Sequence, residues 1–165
     1  MTAISEEDGL LTKTQDIVSH FSQGGTLKSL ANIGSDELEA VYAVAYNHFT
    51  AKKYASAIEL FKFLCLYDHT EPRWFFALGV TQQQNGEYSE AINSFGLATI
   101  LDIQDPRPQI QAGYCLAALK RWPEAQSALE GAIIACGNEL KLQTNRQQAE
   151  ALLETVKNRK QEGGN

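Results

Sequence analysis

No stretch of this chain is apolar enough to cross a membrane: its longest apolar runs, such as Trp74 to Leu78, fall far short of the ~20 residues a helix needs. No basic, apolar leader is visible either. Residues 1–9 are polar and acidic, so the expectation is a cytoplasmic protein without a signal peptide. Basic residues are the minority, 14 against 20 acidic, and the formal net charge is -6. With its Lys and Arg scattered rather than clustered, the chain would repel a phosphate backbone, which excludes nucleic acid as a partner. Three cysteines (Cys65, Cys115 and Cys136) lie far apart without a CxxC, each among apolar neighbours. They read as small buried hydrophobes in a reducing compartment. His20, His48 and His69 are isolated; Cys65 and His69 stand at i, i+4, but two ligands without further partners make no metal site. Gly24-Gly25 lacks the Lys-Ser/Thr of a phosphate-cradling loop, and neither GxSxG nor a Cys–His nucleophile pair occurs. The expectation is a protein without cofactor, metal or catalysis.

What the sequence does contain is a period. The 165 residues, 44% hydrophobic and 21% charged, suit one globular domain. At a spacing of 34 residues Ala45, Gly79 and Gly113 align, as do Tyr54, Tyr88 and Trp122; Ala57, Ala91 and Ala125; Phe61, Phe95 and Leu129; Leu64, Ala98 and Ala132. Small residues recur where helices must approach and large apolar ones where they interlock, which is the tetratricopeptide (TPR) pattern. The predicted fold is all-α: three tandem TPR helix hairpins in a short superhelical solenoid, with an N-terminal helical extension and a C-terminal capping helix.

First helices are expected over 36–50, 72–84 and 106–119, second helices over 54–67, 88–101 and 122–136. Ala57, Ile58, Phe61, Leu64 and Cys65 form the apolar stripe of the first such second helix. Short breaks between helices force antiparallel neighbours. Ser35 is the expected cap of the first helix, Thr70-Glu71-Pro72 starts the third, and Asp105 precedes Pro106. The division is then 1–34 for the N-terminal extension, 35–137 for the repeats (about 38–71, 72–105 and 106–137), and 138–165 for the cap and its frayed tail. Leu10, Ile17, Val18 and Phe21 form the apolar face of a helix over 8–22; it either folds back on the first repeat or pairs with a second chain. Leu142, Ala149, Leu152, Leu153 and Val156 stripe an otherwise polar last helix.

A surface remains to carry function. In stacked hairpins the first helices line a concave side. Tyr42, Tyr46 and Phe49 fall at i, i+4 and i+7 on the first of them, with Tyr54 opening the next helix and Phe63 and Tyr67 towards its far end. Equivalent positions offer Phe76, Val80 and Gln83, then Ile110 and Tyr114. Core packing is the default reading of such a stripe, but the small-and-Phe set already fills those positions. A wide aromatic groove suits an extended apolar peptide. It does not suit a terminal carboxylate, since Arg107 is the lone cation at a matching position. The residues alone give a TPR module that binds an extended apolar segment, and a general TPR scaffold joining proteins stays open beside it.

Nearly the whole chain resembles the class II chaperones of bacterial type III secretion translocators. The likeness is carried by Gly24-Gly25-Thr26-Leu27, by Leu38 to Tyr54, by Phe63-Leu64-Cys65-Leu66-Tyr67-Asp68, by Leu78-Gly79, by Asp102-Ile103-Gln104-Asp105-Pro106-Arg107 and by Gly113-Tyr114-Cys115-Leu116. Trp74-Phe75-Phe76 and the Cys136-Gly137 region with its long polar last helix depart from it. The resemblance implies a cytoplasmic, ATP-independent chaperone. It would hold one or two hydrophobic translocators by a proline-containing apolar stretch in the groove, form a homodimer through its N-terminal helices, and assist a transcriptional activator once the client leaves.

Overall fold

The structure is a computed structural model that describes residues 15–162. Helix α1 spans residues 15–22 there, so Leu10 and the start of the expected 8–22 helix lie outside the described residues. Then follow α2 (Leu27–Leu30), α3 (Ser35–Thr50), α4 (Tyr54–Tyr67), α5 (Pro72–Gln84), α6 (Tyr88–Leu101), α7 (Arg107–Ala118), α8 (Trp122–Cys136), a 3-10 turn (Leu140–Leu142) and α9 (Gln143–Glu162). Helices α3/α4, α5/α6 and α7/α8 form three hairpins, each packed on the next, and α9 closes the array against α8 and α7. No described helix is long and apolar enough to cross a membrane.

The period of 34 is a packing period. Ala45, Ala57, Ala91 and Ala125 are fully buried, as are Phe95 and Leu129, with Phe61 nearly so. Glycine stands at two crossings because a side chain has no room: a Cβ on Gly79 would sit 2.6 Å from the Phe95 ring, and one on Gly113 would sit 2.7 Å from Leu129. Cys65, Cys115 and Cys136 are buried and unbonded. Burial pushes the Cys65 thiol up to about 12 and that of Cys115 to about 11, so both are inert, protonated hydrophobes at neutral pH.

The hairpin turns repeat as well. Lys52, Gly86 and Lys120 stand 34 apart and all take positive φ, at 58°, 82° and 60°. Around each, a backbone N–H reaches back to a carbonyl five residues earlier: Lys53 to His48, Glu87 to Gln82 and Arg121 to Leu116, all at 2.9 Å. This is the Schellman closure of a helix C-terminus, which wants glycine at the left-handed residue. Lysine fills two of the three places, so the sequence conceals a turn that the structure repeats.

Helix starts correct two expectations. Gly34, not Ser35, precedes α3, and it offers no capping side chain; Ser35 is the first helical residue. Helix α7 begins at Arg107, after Pro106, yet Asp105 still acts as a cap: its Oδ1 accepts the Arg107 N–H at 3.0 Å. Glu71 caps α5 by accepting the Arg73 N–H at 3.2 Å, with Pro72 following as the first helical residue. Thr26 and Ser29 form a reciprocal capping box on α2. Ala149, Leu153 and Val156 of α9 are buried in one cluster with Ile110, Leu116 and Leu129, which caps the third hairpin.

A candidate peptide-binding groove

A cavity of about 330 Å³ opens between α3, α5 and the start of α7. Its wall holds Tyr42, Tyr46 and Phe49 from α3, Arg73, Phe76, Ala77 and Val80 from α5, and Asp102, Asp105, Arg107 and Pro108 from the α6–α7 junction. Phe61 and Ala98 contribute from the second helices. The i, i+4, i+7 spacing on α3 makes a continuous strip of rings: the Tyr42 and Tyr46 centroids lie 6.4 Å apart, and those of Tyr46 and Phe49 6.2 Å.

The strip is anchored at both ends, where Tyr42 and Phe49 pack against the core of the first hairpin, and exposed in the middle. Tyr42 is half-buried, edge-on to Phe61 at 5.7 Å and 5.3 Å from Trp74. Tyr46 is 50% exposed. Across the cavity, Phe76 lies 5.9 Å from the buried Phe95 ring and carries the Arg107 guanidinium at 5.1 Å. Arg107 already holds a carboxylate of its own chain. Its Nε and Nη2 donate to Asp105 at 2.9 and 2.7 Å, and those bonds raise its pKa despite partial desolvation. Arg73 is held likewise, with Nη2 donating to Glu39 at 2.6 Å and a further contact to Glu71. Both guanidinium groups are committed within the chain, so the cavity offers rings and carboxylates rather than a clamp for a terminal carboxylate.

The tetratricopeptide-repeat family profile matches residues 38–70 and 75–105, the first two hairpins. Over 145 residues the chain is 37% identical to low calcium response locus protein H of Yersinia pestis, covering 87% of this chain and 85% of that protein. Among solved structures, a type III secretion complex from Aeromonas hydrophila superposes with a TM-score of 0.86 at 32% identity, over 89% of this chain and 98% of that one. The type III secretion chaperone SycD of Yersinia enterocolitica, solved with a peptide of the translocator YopD, matches with a TM-score of 0.72 at 34% identity, over 78% and 98%.

This chain belongs to the type III secretion chaperones.

That membership decides between the two readings the repeat alone left open, in favour of the chaperone over a general scaffold. Of the twelve groove residues expected from this chaperone's sequence, the cavity wall brings together Tyr42, Tyr46, Phe49, Phe76, Val80 and Arg107. Ile110 is a correction. It is 2% exposed, because α9 packs on α7 and draws Ile110 into the cluster with Ala149, Leu153 and Val156. Tyr54 continues the ring strip at 5.7 Å from Phe49, though outside the cavity wall. Phe63 and Tyr67 stack on each other at 4.3 Å on α4, a second helix, and do not line the cavity. Gln83 and the half-exposed Tyr114 also lie outside its wall.

Sequence reasoning missed the chaperone's polar wall. Asp102 and Asp105 stood in the recognised Asp102-Ile103-Gln104-Asp105-Pro106-Arg107 segment, but first-helix periodicity selects residues on α3, α5 and α7 and is blind to junctions between hairpins. On the N-terminal side, Ile17, Val18 and Phe21 are exposed on α1.

Proposed function

We propose that this chain is a cytoplasmic chaperone that binds an extended apolar segment of a type III secretion translocator in the α3–α5–α7 cavity. The observation that carries this reading is the strip Tyr42–Tyr46–Phe49 facing Phe76 and Val80 across an open cavity. Ring faces bury much apolar area at small entropic cost, and a strip of them accepts a strand rather than a globular surface. A translocator must insert into a membrane after export, so its apolar segments would aggregate or insert early if left uncovered. Holding one of them needs no bond-making chemistry and no ATP; affinity and release suffice. The exposed Ile17, Val18 and Phe21 of α1, together with Leu10, are proposed as the contact for a second copy of the chain in the client-free state.

Co-expression with the translocators of the same type III secretion system tests the reading. The expected result is a soluble complex that survives affinity purification, with the translocator insoluble when expressed alone. A translocator that stays insoluble in the presence of the chain would contradict it.

A further inference from the structure

Asp102 stands out within the cavity. It caps the end of α6, and its Oδ1 accepts the Gln104 N–H at 3.1 Å. Thirty-four residues earlier, Asp68 ends α4 in nearly the same backbone conformation: φ and ψ are -133° and 81° there, against -141° and 90° at Asp102. Asp68 Oδ1 likewise accepts from the residue two ahead, the N–H of Thr70. The two differ in what meets Oδ2. In Asp68 it takes the Lys28 ammonium at 3.2 Å, a cation delivered by the separate segment α2. Among the described residues no ammonium or guanidinium lies at ion-pair distance from Asp102; Arg107 is near enough to feel its charge but makes its ion pair with Asp105. The cavity wall carries two arginines, Arg73 and Arg107, and two carboxylates, Asp102 and Asp105. Arg73 pairs with Glu39 and Glu71 outside the wall and Arg107 with Asp105, which leaves Asp102 as the wall carboxylate without an ion pair, beside an apolar floor.

We propose that Asp102 reads charge in the groove, taking the ammonium or guanidinium of a Lys or Arg that flanks the client's apolar segment. The proposal rests on the peptide-binding reading above and makes it specific: the preferred segment is apolar with an adjacent basic residue. The first hairpin already shows the chemistry, since the same aspartate at the same repeat position closes on a lysine from another segment. In the second hairpin that carboxylate is turned to the cavity, where the incoming chain supplies the cation. Its role is selection rather than bulk affinity, because a partly solvated pair contributes modestly while an acidic residue in the same place is repelled.

Overlapping peptides of the translocators of the same secretion system, titrated against the full chain at low salt, test this. Each binding peptide is remade with its Lys and Arg replaced by Gln or by Glu. The expected result is a binding peptide whose basic residue, replaced by Gln, weakens binding about fivefold, and more with Glu. Asp102→Asn, which keeps an Oδ1 acceptor for Gln104, should abolish that difference, and circular dichroism establishes that the variant is folded. Binding peptides without Lys or Arg, or a charge preference that survives in Asp102→Asn, would overturn the proposal while leaving the groove reading intact. If no peptide binds, the groove reading fails and takes this proposal with it.

Discussion

Tyr42 and Tyr46 sit one turn apart on the same strip and do different work. Tyr42 leans on Phe61 and Trp74, so it belongs to the wall of the core as much as to the cavity. Tyr46 has half its surface in solvent and stacks on the neighbouring Tyr42 and Phe49 rings. Tyr46→Ala should therefore leave the unfolding free energy within about 0.5 kcal/mol of the parent while weakening client binding by roughly 2–4 kcal/mol, about 30- to 1000-fold. Tyr42→Ala should weaken client binding and also cost about 1–3 kcal/mol of stability, because it opens space beside Phe61 and Trp74. Denaturant titration beside a binding titration separates the two. Equal stability loss for both variants would mean that the strip is core throughout. This division was not legible in the sequence: periodicity put both tyrosines on one face, but the depth of each depends on Trp74, which arrives from the next hairpin.

At the scale of elements, the helices were almost fully legible. Five of the six repeat helices end where the 34-residue alignment predicts, and α3 and α7 begin within one residue of expectation. The reason is that small residues at Ala45, Gly79 and Gly113 are forced by helix crossings, and the sequence writes those crossings directly. Gly79→Ala should thus lower stability by about 1–3 kcal/mol, although alanine favours a helix, because its Cβ would collide with the buried Phe95 ring. Unaltered denaturant midpoints would remove that crossing from the account. Turns were less legible, since Lys52 and Lys120 carry no glycine signal. Lys120→Gly, at an exposed residue with φ of 60°, should gain about 0.5–1 kcal/mol by relieving the left-handed strain, net of glycine's entropy in the unfolded chain; a lower melting temperature would contradict the turn geometry.

The contact of α2 with the first hairpin is electrostatic and has a definite pH sense. Burial opposes ionisation of Asp68, but the Thr70 hydrogen bond and the Lys28 hydrogen bond and charge outweigh it, and the carboxyl sits below its ordinary 3.8. A depressed folded value stabilises the fold above 3.8, and the contribution is lost as pH falls through the lower folded value. With both side chains partly solvated it is worth no more than about 1 kcal/mol. Asp68→Asn should lower the melting temperature by a few degrees at neutral pH, about 2–4 °C, and the difference should vanish in strong acid. A gap that persists there would assign the effect to packing instead.

For the molecule as a whole, three hairpins stack into one body whose concave side gathers first-helix residues that no single hairpin could bring together. The cavity draws on α3, α5 and α7 at once, which is why half of the expected groove residues converge while Ile110, at the same repeat position as Phe76, does not. An end unit has a cap where an inner unit has a neighbour, and α9 draws Ile110 into the core cluster. That asymmetry is a property of the array, and no window of sequence shorter than the array contains it.

The most direct test of the central claim places a photo-crosslinking p-benzoylphenylalanine at Tyr46, in the cavity wall, and separately at Ile134, a 79% exposed residue of α8 outside it. Irradiating each variant with its co-expressed translocator should trap the client efficiently from position 46, at an apolar segment identified by mass spectrometry, and little from position 134. Equal trapping from both positions, or trapping from 134 alone, would contradict a groove-bound client.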